Sequence, residues 1–223
     1  MEFLNLQFYI DNSNKCLYLP IGKNAHTKLT RVVCRASWFH INNIASADLQ
    51  DLLANKNIFC VVRDPLERWI TAFVTCVYQL TSIRDRVNLP AGSVNILDHF
   101  SRLLTKDVES AFIYLFSHNT FGFDWHTQLQ IKYIQPIDLE KITFFYLNDN
   151  TGSQISQWLA SVNIDVPYLL DNRKINAKHG SRSLYENLVA FLADPAHAEY
   201  KQKLLEYLQP DYDLINSVKF YAG

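Results

Sequence analysis

The chain has 223 residues, 48% hydrophobic and 13% aromatic, and its 21 basic and 22 acidic side chains nearly cancel. Such a balance gives no global field to recruit nucleic acid or an anionic membrane surface, so any anion site must be local. No stretch approaches the ~18 apolar residues of a membrane span, and the opening MEFLNLQFYIDNSNK lacks the basic and apolar regions of a secretion signal.

One domain over residues 1–223 is expected, because there is no repeat, no low-complexity tract and no linker, with 6 Gly and 7 Pro in all. Cys16, Cys34, Cys60 and Cys76 form no CxxC pair and lie among apolar residues. They read as buried thiols of a reducing compartment, so a cytoplasmic protein, or a catalytic piece of a longer one, is expected.

In chain order, Cys16–Leu19 reads as a short buried strand stopped by Pro20 and Gly22. A helix is predicted from Thr27, with Leu29, Val32, Val33, Ala36 and Trp38 or Phe39 at helical spacing. Ile58 to Val62 predicts a strand buried on both faces of a parallel sheet, ending at Arg63. Asp64 as N-cap, Pro65 at the first helical position and Glu67 three after the cap then start a helix. Its apolar stripe is Leu66, Trp69, Ile70, Phe73, Val74 and Val77, with Arg68, Thr71 and Thr75 on the other side.

This strand–helix order predicts a right-handed βαβ unit with both loops at one sheet edge. Further on, 94–117 reads as helical, Ile142 to Leu147 as a strand, and Thr151 to Val162 as a helix. A capping box of Ser183 with Glu186 precedes Leu184, Leu188 and Phe191, and a last helix is expected from Pro195 to Leu208. The class is α/β, a central parallel sheet flanked by helices.

Ligands of open α/β sheets bind beyond the carboxyl ends of the strands, and two such ends carry unusual polar residues. In IGKNAHTKL, Ile21 to Leu29, a lysine, Lys23, stands in a loop entering a helix near Thr27, which offers backbone N–H groups and an ammonium to an anion. In VVRDPLERWITAF, Val61 to Phe73, Arg63 leaves the strand and Thr71 lies two turns into the helix. An arginine fork grips a phosphate bidentately, and a cation directly after a buried strand is costly without an anionic partner. A nucleoside with phosphates at both ends would satisfy two such sites.

This pair of motifs resembles the signature of the carbohydrate-type sulfotransferase family. GKNAHTKL is similar to the family's PKNACTSLK loop through Lys23, Asn24, Ala25 and Thr27, and departs from it at Gly22, His26 and Lys28. VRDPLER, with Thr71 and Phe73, is similar to VRDPxERxxSxY. FDWHTQLQ, Phe123 to Gln130, is similar to the HWxPQ segment through His126 and Gln130 but lacks its proline; INAK from Ile175 and YLQPDYDLI from Tyr207 are similar to the family's asparagine loop and closing helix end.

The resemblance implies a P-loop NTPase-like sulfotransferase fold, 3′-phosphoadenosine 5′-phosphosulfate as sulfuryl donor, and no metal. It places Lys23, Asn24, Ala25, His26, Thr27 and Lys28 around the 5′-phosphosulfate, and Arg63 and Thr71 on the 3′-phosphate. Lys178, in a loose cluster with Lys174, His179 and Arg182, is either a solvated charge or part of a lid over the phosphates. Lys23 is the expected catalytic cation. His126 is the first candidate for the base, ahead of His26, His40 and Asp124, and a satisfied core histidine is its competing reading.

The implied acceptor is a glycan or a small hydroxyl-bearing molecule. Two other readings stand beside this one, a P-loop kinase and an inactive nucleotide-binding module. Against the kinase, no GxxxxGK[ST] is present, Asn24 follows Lys23 where a metal-binding hydroxyl belongs, and Arg63 stands where an acidic metal ligand is expected, leaving Asp149 as the loose candidate.

Overall fold

The computed structural model describes residues 3–24, 29–30, 38–83, 108–123, 126–164 and 179–222. Its contacts divide the chain into two compact units. One comprises Met1–Asp64, Leu129–Ile175 and Pro210–Gly223, the other Pro65–Gln128 and Asn176–Gln209.

The first unit is built on a five-stranded sheet in the order β3-β1-β2-β4-β5. Its strands are β1 (Phe3–Asp11), β2 (Cys16–Leu19), β3 (Trp38–Ala45), β4 (Asn57–Val62) and β5 (Ile142–Tyr146). β2, β4 and β5 are parallel, with Leu19 opposite Cys60 and Val62 opposite Tyr146, as the βαβ reading requires. Successive residues of these strands feed opposite faces. Leu17, Leu19, Ile58, Cys60, Val62 and Phe144 enter one apolar cluster, whereas Cys16, Tyr18, Phe59, Val61 and Phe145 enter the other with Ile155, Trp158 and Leu159. A strand covered on both faces shows no alternation, which is why CLYL and IFCVV read as unbroken apolar runs.

The expected central parallel sheet is part of a mixed one. β1 runs antiparallel to both β2 and β3, with Tyr9 opposite Tyr18 on one side and His40 on the other. Its alternation is visible in the chain, because Leu6, Phe8 and Ile10 are buried while Gln7 is exposed. The turn after it places Asn14 at a φ of 59°. Asp11 closes that turn, accepting from the N–H groups of Lys15 at 2.7 Å and Cys16 at 2.6 Å, from Ser13 N–H at 2.8 Å, and from the Ser13 hydroxyl. Burial pushes the Asp11 carboxyl up, but these bonds outweigh it and hold the carboxyl below its ordinary value.

Trp38 and Phe39, assigned to a helix by their spacing, belong to β3. Pairing with Asp11 and Ile10 of β1 overrides the helical period in a segment of aromatic and branched residues that suits a pleated surface. Leu29 and Thr30 of that expected helix are helical, and 31–37 lie outside the described residues. The unit also holds α1 (Leu49–Leu53) and α4 (Thr151–Ser161), numbered in chain order. Near the end of the chain Phe220 bridges Phe144 and the Tyr221 N–H donates to the Phe144 carbonyl at 2.9 Å.

The second unit is helical, made of α2 (Pro65–Ile83), α3 (Val108–His118), α5 (His179–Ala193) and the part of α6 (Ala198–Ser217) up to Gln209. Pro65 opens α2, where its missing N–H has no ladder partner to lose. Trp69 and Phe73 stack at 5.2 Å, Phe112, Phe121 and Phe191 complete an aromatic core, and Trp69 Nε1 donates to the Phe121 carbonyl at 3.0 Å.

Three helical expectations change. Arg68, placed on the polar side of α2, is fully buried, and its Nη1 donates to the Gln128 carbonyl at 2.7 Å, tying Gln128 to the helix. Ser183 and Glu186 form no cap, because α5 already starts at His179; Glu186 instead accepts from Arg182 Nε one turn earlier at 2.9 Å. The last helix begins at Ala198, after a 3-10 turn over Pro195–His197, and continues through Pro210 to Ser217. Among the described residues no helix is long and apolar enough to cross a membrane.

Candidate functional site

The site grows from the point where the ladder between β2 and β4 ends. Leu19 and Cys60 are the last pair between them. Beyond Leu19 the chain makes a turn closed by the Asn24 N–H on the Ile21 carbonyl at 3.2 Å, with Lys23 at a φ of 68°. A lysine in the left-handed region costs roughly 1–2 kcal/mol, so the turn persists only because its neighbours hold it.

Asn24 supplies that hold. It is fully buried, and its Nδ2 donates to the Val61 carbonyl at 3.0 Å and to Gln130 Oε1 at 2.6 Å. Gln130, also fully buried, accepts a second bond on Oε1 from the Arg63 N–H at 3.1 Å and returns Nε2 to the Arg63 carbonyl at 2.9 Å. The backbone of the residue that carries the candidate guanidinium is thus held at both its donor and its acceptor.

Gln130 is fixed in turn by Asp211, a fully buried carboxylate on α6. Its two oxygens accept the N–H groups of Gln130 at 2.8 Å and Ile131 at 3.0 Å, which open the 3-10 turn Gln130–Tyr133. Free N–H groups at such a start attract an anionic cap, and here the cap comes from a distant segment. All of this lies within the sheet unit.

The network also settles which way each amide points. Gln130 must face its oxygen to the Arg63 N–H and its nitrogen to the Arg63 carbonyl; Asn24 must then turn its nitrogen toward two acceptors. Asn24 Oδ1 is left as a buried acceptor without a hydrogen-bond partner. Its orientation is dictated by chemistry on the opposite side of the amide.

Of the residues singled out from the sequence, the structure brings the Lys23–Asn24 turn beside the start of Arg63 through a single side chain. Lys23 is half-buried. Thr71 sits in the second turn of α2 in the helical unit, and its hydroxyl donates to the Glu67 carbonyl of its own helix at 2.8 Å. That proton must leave the helix before it can serve a phosphate. His126 is half-buried in a turn of the same unit. His40 lies on β3, exposed, stacked on Tyr9 at 4.6 Å. Ala25, His26, Thr27, Lys28, Asp124, Lys174 and Lys178 lie outside the described residues.

Burial pushes the Cys60 thiol in β4 far up, and burial with the Asp11 charge nearby does the same to Cys16 in β2. Among the described residues no group of three His, Cys, Asp or Glu side chains is placed to hold a metal ion.

The roles of Gln130 and Asp211 were not read from the sequence. A signal existed for Asp211, since Leu204, Leu208, Asp211 and Leu214 share one buried helical stripe, and an acid on such a stripe needs a dedicated partner. Gln130 carried none beyond its place in a motif. A scan of family models and searches of curated proteins and of solved structures return no match to this chain.

Proposed function

We propose that this chain is a sulfotransferase that moves a sulfuryl group from 3′-phosphoadenosine 5′-phosphosulfate to an acceptor hydroxyl or amine, within a P-loop-like fold. The observation that carries the reading is the Asn24–Gln130–Arg63 network, which ties two cation-bearing loops together at adjacent ends of parallel strands. A nucleotide with a phosphate at each end has a use for both loops, whereas a monophosphate has a use for one.

In this reading Arg63, with Thr71, takes the 3′-phosphate, and the Lys23 ammonium faces the 5′-phosphosulfate. Transfer is in line. The acceptor oxygen forms a bond to sulfur as the bond from sulfur to the 5′-phosphate oxygen breaks, and Lys23 stabilises the charge that collects on the departing phosphate. His126 takes the acceptor's proton. The acceptor class is a glycan, and the compartment we propose is the cytoplasm, which suits the buried Cys16, Cys60 and Cys76.

The test is transfer of labelled sulfate from the donor to a panel of glycans and small alcohols, with and without magnesium. Metal-independent transfer is expected. Phosphoryl transfer from ATP that requires magnesium, or nucleotide binding with no transfer to any member of the panel, overturns the proposal. Calorimetry adds a residue-level check: Arg63→Ala should weaken 3′-phosphoadenosine 5′-phosphate about 10- to 100-fold and AMP far less, since one charge-assisted phosphate contact is lost.

A further inference from the structure

We propose that Gln130 is a positioning residue that couples the two phosphate loops, so that ordering one by a ligand favours the other; this rests on the sulfotransferase reading. The geometry is that of a sheet completed by side chains. β4 makes its last ladder contact through the Val62 carbonyl, which accepts the Leu147 N–H at 2.8 Å, and Arg63 is the next residue. The Gln130 amide extends the ladder by a side chain, bonding both the N–H and the carbonyl of Arg63. On the β2 side, past Leu19 and Cys60, the Asn24 amide does the same for the Val61 carbonyl.

The two substitute rungs meet at one atom. Gln130 Oε1 accepts from Asn24 at 2.6 Å and from Arg63 at 3.1 Å. Neither loop can shift without breaking a bond to that oxygen, and the amide is buried, so water does not replace what is lost. Asp211 holds the Gln130 backbone still. The Lys23 turn, strained at its left-handed residue, and the backbone of Arg63 therefore share one restraint. A ligand that orders the first loop stiffens the second through it, and pays less ordering entropy there.

Two measurements decide this. Amide hydrogen exchange needs no ligand. In Gln130→Met, which keeps the volume and removes the bonds, exchange at the Arg63 and Asn24 amides should rise about tenfold or more while amides of the β4–β5 ladder change little. Equal acceleration everywhere, or none at Arg63, overturns the proposal. If Gln130→Met does not fold, Gln130→Ala serves, since it removes both the shared acceptor and the donor to the Arg63 carbonyl without adding a charge.

The second measurement is a ligand cycle with adenosine, 5′-AMP, 3′-AMP and 3′-phosphoadenosine 5′-phosphate. Wild type should bind the bisphosphate more tightly than the product of the two separate phosphate gains, and the Gln130 variants should bring that excess to about onefold while each monophosphate keeps most of its affinity. An excess unchanged in the variants overturns the coupling. If wild type binds none of the nucleotides, the sulfotransferase reading fails, and the exchange experiment alone decides whether Gln130 joins the loops.

Discussion

Replacing Asn24 by aspartate changes one atom and should unmake the turn that carries Lys23. The amide nitrogen now donates to Val61 at 3.0 Å and to Gln130 at 2.6 Å. A carboxylate donates to neither, leaves two buried acceptors facing oxygen, and adds an unpaired buried charge. Each orphaned acceptor costs about 1–3 kcal/mol, and breaking buried polar pairs on one side costs about 3–5 kcal/mol, so the loss near neutral pH should be about 4 kcal/mol.

Protonation restores one O–H donor. Burial and the facing oxygens raise the folded-state pKa of the new acid above its unfolded value of about 3.9. The stability of the neutral form is then fully present below that value and is lost as pH rises through the folded one. Urea denaturation of both proteins should show the smallest gap near pH 4 and the largest at about pH 8. Asp11 titrates in both proteins and cancels in the difference. A gap under about 1 kcal/mol at the higher pH, or one of the same size at both, refutes the assigned amide network.

Lys23→Gly and Lys23→Ala should both abolish most turnover while raising donor KM less, but glycine should be the more stable of the two by about 1 kcal/mol because only it adopts the left-handed turn without strain; a more stable alanine variant contradicts that conformation. His126→Asn should lower kcat about 10²- to 10⁴-fold with nucleotide affinity kept, whereas near-normal turnover or unfolding makes the histidine structural. Asp11→Asn should cost about 2 kcal/mol near neutral pH, since it loses charge-assisted bonds to three N–H groups. Because the Asp11 carboxyl lies below its ordinary value, that stability is present above about pH 4 and fades as pH falls further; thermal unfolding of both proteins across that range checks the sign, and a gap that widens in acid counts against it.

The parallel strands and α2 were legible because their signals are local. CLYL and IFCVV are short apolar runs between breakers, and Asp-Pro followed by an amphipathic stripe starts a helix almost regardless of context. β3 was not legible, since Trp38 and Phe39 satisfy a helical period equally well and only pairing with β1 decides between them. Arg68 was misread for a related reason. A charge defaults to the solvent side of a helix, and its burial depends on the Gln128 carbonyl, which nothing near it in the chain announces. The loops bearing Lys23 and Arg63 were found from their positions at strand ends, while the amides that hold them were not, because Asn24 and Gln130 are bonded across a gap of 106 residues.

That gap bears on how the protein is made. The Lys23 turn is synthesised well before its partners: Asn24 finds its partner only after Gln130 exists, and Gln130 is held by a carboxylate that arrives at position 211. Domains ordinarily fold from the N-terminus as the ribosome proceeds. Here strand pairing between β1 and β2 can form early, since Ile10 and Leu17 lie close in the chain, but the loops must wait for the segment carrying Asp211. A ribosome stalled before that point would hold a chain with β1 and β2 paired and the Lys23 and Arg63 loops still open, a species for chaperones to shield.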